Sequence, residues 1–318
     1  MPRTVMVTNR VDSPGRHAAA SAQPEQGSNS PALGSSRAVW RRFAQAALLV
    51  ALAVAIVCWQ GMQKRPAGAA AGTSLHWPAG TSSLRRDSVI PATRFRVATF
   101  NIHRARGADG RYDFDRTARG LGDFDLIGLN EVRGTSLSSD VDQAEMLGER
   151  LGMAWLFAPT ERRWWRDDFG NGLLCRRADV PWQRIPLPRP SSRSNRNFVW
   201  AQLPAADCTV HVLVTHLERG DTSERHLQLQ SLGRLFLSLA EPAVLMGDLN
   251  STADDPQLQQ LLAEPGVRDA LAEKQIVSPR RIDWILVRGL RVVDAGLVES
   301  DASDHPLAWA ELEIEKIR

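Results

Sequence analysis

From about residue 94 to its end the chain alternates short β-type runs, in which apolar positions recur every second residue or fill the run, with amphipathic stretches of helical period. Strands are predicted at Phe95–Phe100, Asp125–Leu129, Ala154–Phe157, Gly172–Arg176, Asn197–Leu203, Thr209–Thr215, Ala243–Gly247, Arg281–Val287, Arg291–Val293 and Leu307–Leu312. Helices are predicted at Asp115–Leu121, Val141–Leu151 and Ser223–Leu239. The short Pro/Ala/Asp link between residues 203 and 209 makes the flanking strands an antiparallel hairpin. This order predicts an α/β sandwich with mixed, largely antiparallel sheets in place of a doubly wound parallel sheet.

A different pattern precedes it. Phe43–Met62 is apolar, with no charge between Arg42 and Lys64. Twenty residues at about 1.5 Å each span about 30 Å, the hydrocarbon thickness of a bilayer. Six arginines come before it, with Arg41 and Arg42 abutting it, and the positive-inside rule then keeps the N-terminus cytoplasmic and exports the remainder of the chain. An uncleaved signal anchor and a signal peptide cleaved at Ala67-Gly68-Ala69 both fit, and both deliver the same domain to the same side. Residues 1–42, rich in Ser, Ala, Gly and Gln, are expected to be a disordered cytoplasmic tail. The Pro/Ala/Gly/Thr/Ser stretch 63–92 is expected to be a linker, and 93–318 the globular domain.

Charge sharpens this division. Residues 1–89 hold ten Lys+Arg against three Asp+Glu, whereas 90–318 hold 29 against 33, so the formal net charge of +3 resides in the N-terminal segment. The domain lacks the bulk basic excess of a nonspecific nucleic-acid binder. The three cysteines, Cys58, Cys175 and Cys208, have neither zinc-ribbon nor redox-dithiol spacing.

The candidate chemistry lies where apolar strands stop in polar residues. Arg96–Phe100 ends in Asn101; Asp125–Asn130 ends in Glu131; Thr209–Thr215 ends in His216; Ala243–Gly247 ends in Asp248, with Asn250 beyond. Asp283 lies inside its predicted strand, and Ser303-Asp304-His305 opens the last one. Any one of these reads as a turn former or cap. Together, carboxylates, amides and imidazoles from separate strand ends can converge on one sandwich edge, where a hard divalent cation and a phosphate would find their ligands.

The set TFNIH (99–103), LNEV (129–132), GNGLL (170–174), THLE (215–218), GDLN (247–250), RIDWIL (281–286) and SDHPL (303–307) resembles the endonuclease/exonuclease/phosphatase superfamily over about residues 94–314. The resemblance implies a four-layer α/β sandwich like that of pancreatic deoxyribonuclease (DNase I-like) and metal-dependent phosphoester hydrolysis. It implies that Asn101 and Glu131 hold Mg or Mn, with Asp304 at the metal edge. His216 would contact or protonate phosphate oxygens, Asp248 and Asn250 would position the attacking water and phosphate, and His305, oriented by Asp283, would be the general acid/base. Asn171 would contact phosphate, and His103 and Asp109 would support the site from behind. Asn130 stands where Gln is common in the family. Just before GNGLL, Trp164 and Trp165 are candidates for substrate binding, stacking on a base or entering a lipid interface. His211 and His226 are expected to be structural.

The sequence therefore predicts a membrane-tethered phosphodiesterase acting on a lipid-type phosphodiester, the tether favouring lipid over DNA. An exported nuclease, another phosphate ester as substrate, and a noncatalytic phosphate-binding scaffold of the same fold are the competing readings. No protein partner is indicated.

Overall fold

The computed structural model describes residues 34–78, 93–135, 140–163, 166–190, 194–205 and 208–315. The chain forms two units, Met1–Ile56 and Val57–Arg318. Helix α1, Gly34–Met62, starts ahead of the expected Phe43, so the last part of the expected disordered tail is helical; the rest of that tail lies outside the described residues. Its apolar portion Ser36–Met62 is long and apolar enough to cross a membrane. At 1.5 Å per residue it rises about 40 Å, which exceeds a hydrocarbon core of about 30 Å.

The second unit opens with β1 (Arg65–Pro66), β2 (Ala70–Gly72), β3 (Arg94–Asn101), α2 (Phe114–Gly120), β4 (Leu126–Arg133) and α3 (Gln143–Leu151). It continues with β5 (Ala154–Arg163), β6 (Arg166–Cys175), β7 (Trp182–Pro186), β8 (Asn197–Pro204), β9 (Thr209–His216), α4 (Thr222–Ser238) and β10 (Ala243–Asp248). It closes with α5 (Pro256–Leu262), β11 (Arg268–Asp269), β12 (Asp283–Arg288), β13 (Leu290–Val298) and β14 (Leu307–Ile314). Two seven-stranded sheets result, ordered β1-β5-β6-β4-β3-β14-β13 and β11-β12-β10-β9-β8-β7-β2. The pairs β3–β4 and β9–β10 are parallel and the others antiparallel, including the expected β8–β9 hairpin.

Strand parity builds the layers. In β3 and β4, Val97 and Leu126 face the other sheet, while Ala98, Phe100, Ile127 and Leu129 pack beneath α2 and α3 through Leu121 and Leu147. In β9 and β10, Val212, Val214, Val244 and Met246 face inward, while Leu213 and Leu245 meet Leu229, Leu232, Phe236 and Leu258 of α4 and α5. The order helices, sheet, sheet, helices is the four-layer sandwich. At Gly128 the sheets approach so closely that a Cβ would lie 2.9 Å from Val214 and 3.0 Å from Met246.

Aspartates cap the four helices of the sandwich. Asp113, Asp142, Asp221 and Asp255 each accept a hydrogen bond from a first-turn backbone N–H. Asp255-Pro256 shows why α5 forms where no helix was expected: a cap followed by a proline at the first helical position is a start signal that the short apolar run concealed.

The expected linker 63–92 is corrected in its first part. β1 pairs with the edge of one sheet and β2 with the edge of the other, and Ala67 and Leu75 are buried. β1 is Arg-Pro and β2 Ala-Ala-Gly, with no apolar alternation to mark them, because edge strands need backbone partners more than apolar side chains. Residues 79–92 lie outside the described residues.

Candidate active site

The parity that closes the inter-sheet core also builds the site. Continuing each strand by two residues along its inward face leads from Thr99 to Asn101, from Gly128 to Asn130, from Val214 to His216 and from Met246 to Asp248. β12 begins with Asp283 on the same face as Ile285, at its edge and not inside the strand as expected. Register then aligns them: Asp248 is the cross-strand partner of His216 on one side and of Asp283 on the other, and Asn101 is the partner of Asn130. Gly247 permits this, since at φ 140° a Cβ would meet the Thr215 carbonyl oxygen at 1.9 Å.

At the centre, Asp248 Oδ2 accepts a hydrogen bond from Asn101 Nδ2 at 3.1 Å and lies 3.4 Å from His216 Nε2 and 3.9 Å from His305 Nε2. His305 is held by Asp283, whose Oδ2 is 2.7 Å from Nδ1. Ser303 Oγ donates to the Asn101 carbonyl at 2.7 Å and accepts from the His305 N–H at 3.3 Å, tying the loop before β14 to the end of β3. The donor atoms of Asp248, Asp283 and His305 lie within 4.8 Å of one another.

Burial and charge divide the two histidines. Burial disfavours the imidazolium of His305, but the hydrogen bond and charge of Asp283, with Asp248 and Asp304 behind them, outweigh it and raise its pKa to about 9. His216 has no such partner. Burial, then the nearby charges of Arg196 and His305, push its pKa well below the usual value, and its Nδ1 is buried without a hydrogen bond. His216 therefore stands neutral and can donate one hydrogen bond. Burial and the charge of Asp283 push Asp248 up to about 7.

Glu131 reaches its position by a bulge. Leu129 pairs with Gly172 and Val132 with Gly170, so Asn130 and Glu131 together oppose Asn171, and Glu131 takes φ 55°. The bulge lets Asn130 face the inter-sheet core while Glu131 lines a cavity of about 600 Å³ with Arg104, Arg133 and Arg196. The Glu131 carboxylate has no hydrogen-bond or ion-pair partner among the described residues. A second depression of about 300 Å³ is lined by Asp283, Asp304 and His305.

Other expected residues sit differently. Asp304 is half-exposed and lies 3.3 Å from His103 Nδ1, outside the Asp248–Asp283–His305 cluster. Asn250, at φ 48°, uses its amide to hold the Leu217 carbonyl and its N–H to hold Asp248 Oδ1, so it shapes the turn after β10. Asn171 is buried and turns inward, donating to Asn197. Asp109 pairs with Arg116 at 3.0 Å. Trp164 and Trp165 lie outside the described residues. His211 accepts from Trp200 Nε1, and His226 bonds Asp255, both away from the cluster. No disulfide joins the three cysteines.

Sequence reasoning missed the support behind the site. Asn130 Nδ2 donates to Asn171 Oδ1 and to the Thr215 carbonyl, and its Oδ1 receives the Asp248 N–H at 3.0 Å. Asn171 continues the chain to Asn197, whose Nδ2 reaches the Pro159 carbonyl at 2.7 Å. The relay crosses from sheet to sheet and leaves no amide of these three residues unsatisfied. Its signal was available: Asn197 shares the parity of Val199 and Ala201 on the buried face of β8.

Backbone strain collects here too. Of the six non-glycine residues at positive φ among those described, His103, Arg104, Ala105, Glu131 and Asn250 border this site, and the sixth, Gln275, caps a short helix.

The profile of the Endonuclease/Exonuclease/phosphatase family matches residues 98–305, well over half of the chain, and the chain belongs to that family of phosphoester hydrolases and nucleases. Solved structures share the fold. An endonuclease/exonuclease/phosphatase from Beutenbergia cavernae is 23% identical over 70% of this chain and 72% of that one, with a TM-score of 0.57. A functionally unknown conserved protein from Enterococcus faecalis is 18% identical over 69% and 100%, with a TM-score of 0.55. D. rerio TDP2 complexed with single strand DNA product is 17% identical over 69% and 98%, with a TM-score of 0.54. A search of curated proteins finds no match.

Proposed function

We propose that the protein is a membrane-tethered, Mg- or Mn-dependent phosphodiesterase that cleaves a lipid-type phosphodiester outside the cytoplasm. The observation that carries the chemistry is the convergence of Asp248, His216, Asn101 and the His305–Asp283 pair on one sheet edge. Glu131, a carboxylate on a strained bulge, and Asn101, at the end of the adjacent strand, offer the hard oxygen donors that suit a divalent cation. Such an ion, when bound, supplies Lewis-acid stabilisation of charge on phosphoryl oxygens.

The protein groups perform the proton work. Asp248, poised near neutrality, orients a water for in-line attack on phosphorus and takes its proton. His305, protonated at neutral pH and fixed by Asp283, donates from Nε2 to the leaving oxygen. Neutral His216 donates from Nε2 to a nonbridging oxygen. The products are an alcohol and a phosphate monoester, and the proton on Asp248 can return to His305 across 3.9 Å.

Lipid as substrate is supported by Lys64. Its ammonium lines the larger cavity only two residues beyond Met62, where the apolar helix ends. Two residues extend at most about 7 Å, so the chain leaves little slack between the end of the apolar helix and this side chain. The arginines ahead of the helix favour an N-terminus inside and a domain outside. The basic cavity also suits a nucleic-acid backbone, which makes an exported nuclease the second reading.

The full chain in proteoliposomes, assayed on phospholipid, supercoiled DNA and bis-p-nitrophenyl phosphate with Mg, Mn or EDTA beside His305→Ala, tests the proposal. Metal-dependent phospholipid cleavage lost in the variant is expected. Cleavage of DNA alone would replace the lipid reading, and no turnover on any ester would overturn the enzymatic one.

A further inference from the structure

The start of β12 holds two things at once, because strand parity sends neighbouring side chains to opposite faces of the sheet. Asp283 points inward and fixes His305 at 2.7 Å. Trp284 points outward, 1% exposed, into the apolar cluster of Leu249, Leu258 and Phe236 that α4 and α5 cover. Only Asp283 takes part in the cleavage chemistry.

The indole is a fixed hydrogen-bond donor. Trp284 Nε1 donates to the Ser251 carbonyl at 2.8 Å. The Arg281 guanidinium lies over the ring, 3.8 Å from its centroid, and is itself buried and paired with Asp269 at 3.0 Å. Ser251 is buried and held a second time, its hydroxyl donating to Asp255 Oδ2 at 3.0 Å. Asp255 is anchored in turn, since it accepts the first-turn N–H groups of Gln257 and Leu258 and bonds His226. Phenylalanine would fill the same apolar space. What tryptophan adds is a single donor, and here it meets a single carbonyl.

That carbonyl closes the turn that carries Asp248. Within the turn, the Leu249 N–H bonds the Ile282 carbonyl at 2.9 Å and Asn250 Nδ2 bonds the Leu217 carbonyl at 3.0 Å. Asn250, left-handed at φ 48°, directs its N–H to Asp248 Oδ1 at 2.9 Å. Such a conformation persists where its surroundings over-determine it, and the Ser251 carbonyl is the next anchor along the chain. With Oδ1 engaged, Oδ2 is the oxygen that faces His305 Nε2, 3.9 Å away. Ile282 and Trp284 thus fasten the Asp248 turn to the same strand start whose Asp283 fastens His305. One stretch of backbone sets the separation of the two proton-transfer groups.

We propose that Trp284 is a positioning residue for the reaction: through the Ser251 carbonyl, its indole N–H keeps Asp248 aimed at His305. The role rests on the reading of these two residues as the proton-transfer pair of a phosphodiesterase. Three variants of the full chain in detergent test it. Trp284→Phe keeps an aromatic ring beneath Arg281 and removes the N–H. Ser251→Ala cuts the hydroxyl tie and leaves the apolar packing in place, so it carries the test should Trp284→Phe not fold. Leu232→Ala opens the same apolar cluster from α4 without touching the turn.

Hydrogen exchange of the peptide spanning residues 247–255, read by mass spectrometry, should quicken in Trp284→Phe and Ser251→Ala and stay native in Leu232→Ala. On bis-p-nitrophenyl phosphate with Mn, Trp284→Phe should lose about ten- to a hundredfold in kcat at a nearly native KM, since a misplaced reacting group costs rate and not ground-state binding. Ser251→Ala should show the same split with a smaller loss. Leu232→Ala should keep the native kcat despite a lower urea midpoint. Native exchange in both turn variants, quickened exchange with native kcat, or an equal fall of kcat in Leu232→Ala would each overturn the positioning role. A native protein that cleaves no ester would reject the phosphodiesterase reading and the catalytic role with it, leaving exchange to report the hold on the turn alone.

Discussion

The inter-sheet face has two regions made by the same strands. Toward one end it is Val97, Leu126, Val214 and Met246, all fully buried and apolar. Two to four residues further along the strands it becomes Asn101, Asn130, His216 and Asp248, almost as deeply buried and wholly polar. Both regions share parity, register and ladder, so backbone geometry cannot account for their difference. The apolar part gains from each methylene removed from water. The polar part carries desolvated carboxylates, an orphaned imidazole nitrogen and left-handed residues, which are tolerated because the apolar part and the asparagine relay hold the strand ends in place.

The contrast can be broken most forcefully at His305. His305→Ala should lower turnover by about a thousandfold, and at neutral pH it should also lower the denaturant midpoint, because it leaves the buried Asp283 carboxylate without its partner. Steady-state kinetics beside a urea melt would check it; an unchanged midpoint would mean that the pair adds nothing to the fold.

Met246→Ala should cost about 2–5 kcal/mol of stability because Met246 is fully buried between the sheets. Two positions later the sign changes. Asp248→Asn should abolish turnover yet keep or raise stability at pH 8. With its folded pKa raised from 3.8 to about 7, the ionised carboxylate burdens the fold increasingly as pH climbs from about 4 to 7 and fully above that. Urea melts of the variant and native protein from pH 4 to 8 should therefore diverge in the variant's favour as pH rises; a constant gap would contradict the buried-charge account.

The histidines sharpen the comparison within the polar region. In Asp283→Asn the His305 pKa, about 9 in the native site, should fall by at least one unit, measured by following its ring protons in an NMR titration. The imidazolium stabilises the fold fully below about pH 6.5 and loses that effect as pH rises through about 9, so the variant's stability deficit should shrink over that window. His216 should stay neutral in both proteins.

The smallest effect belongs to the core. Burial pushes the Cys175 thiol up to about 12, so iodoacetamide should leave it unmodified in the folded protein and alkylate it in urea, read by mass spectrometry. Modification in the native state would show that the core opens.

Much of this was legible in the residues because local rules act locally. Alternation located the central strands, an apolar run of bilayer length marked the helix, and seven motifs placed polar residues at strand ends. The edge strands β1 and β2 were hidden, since an edge is made by its neighbour's free hydrogen bonds and leaves little trace in composition. Asn130 and Asn197 were visible as residues but not as a relay, whose partners come from strands distant in sequence.

By itself, then, the sequence determined the class of fold, the apolar helix and the kinds of side chain available for phosphoester chemistry, because periodicity and residue type are properties of short segments. Tertiary structure alone decided which Asp pairs with which His, that His216 is neutral while His305 is charged, that a bulge turns Glu131 into the cavity, and that Lys64, two residues past the helix, joins Arg104 and Arg196 around it. Those outcomes depend on burial and on charges brought together from opposite sheets, and both are set only when the two layers close.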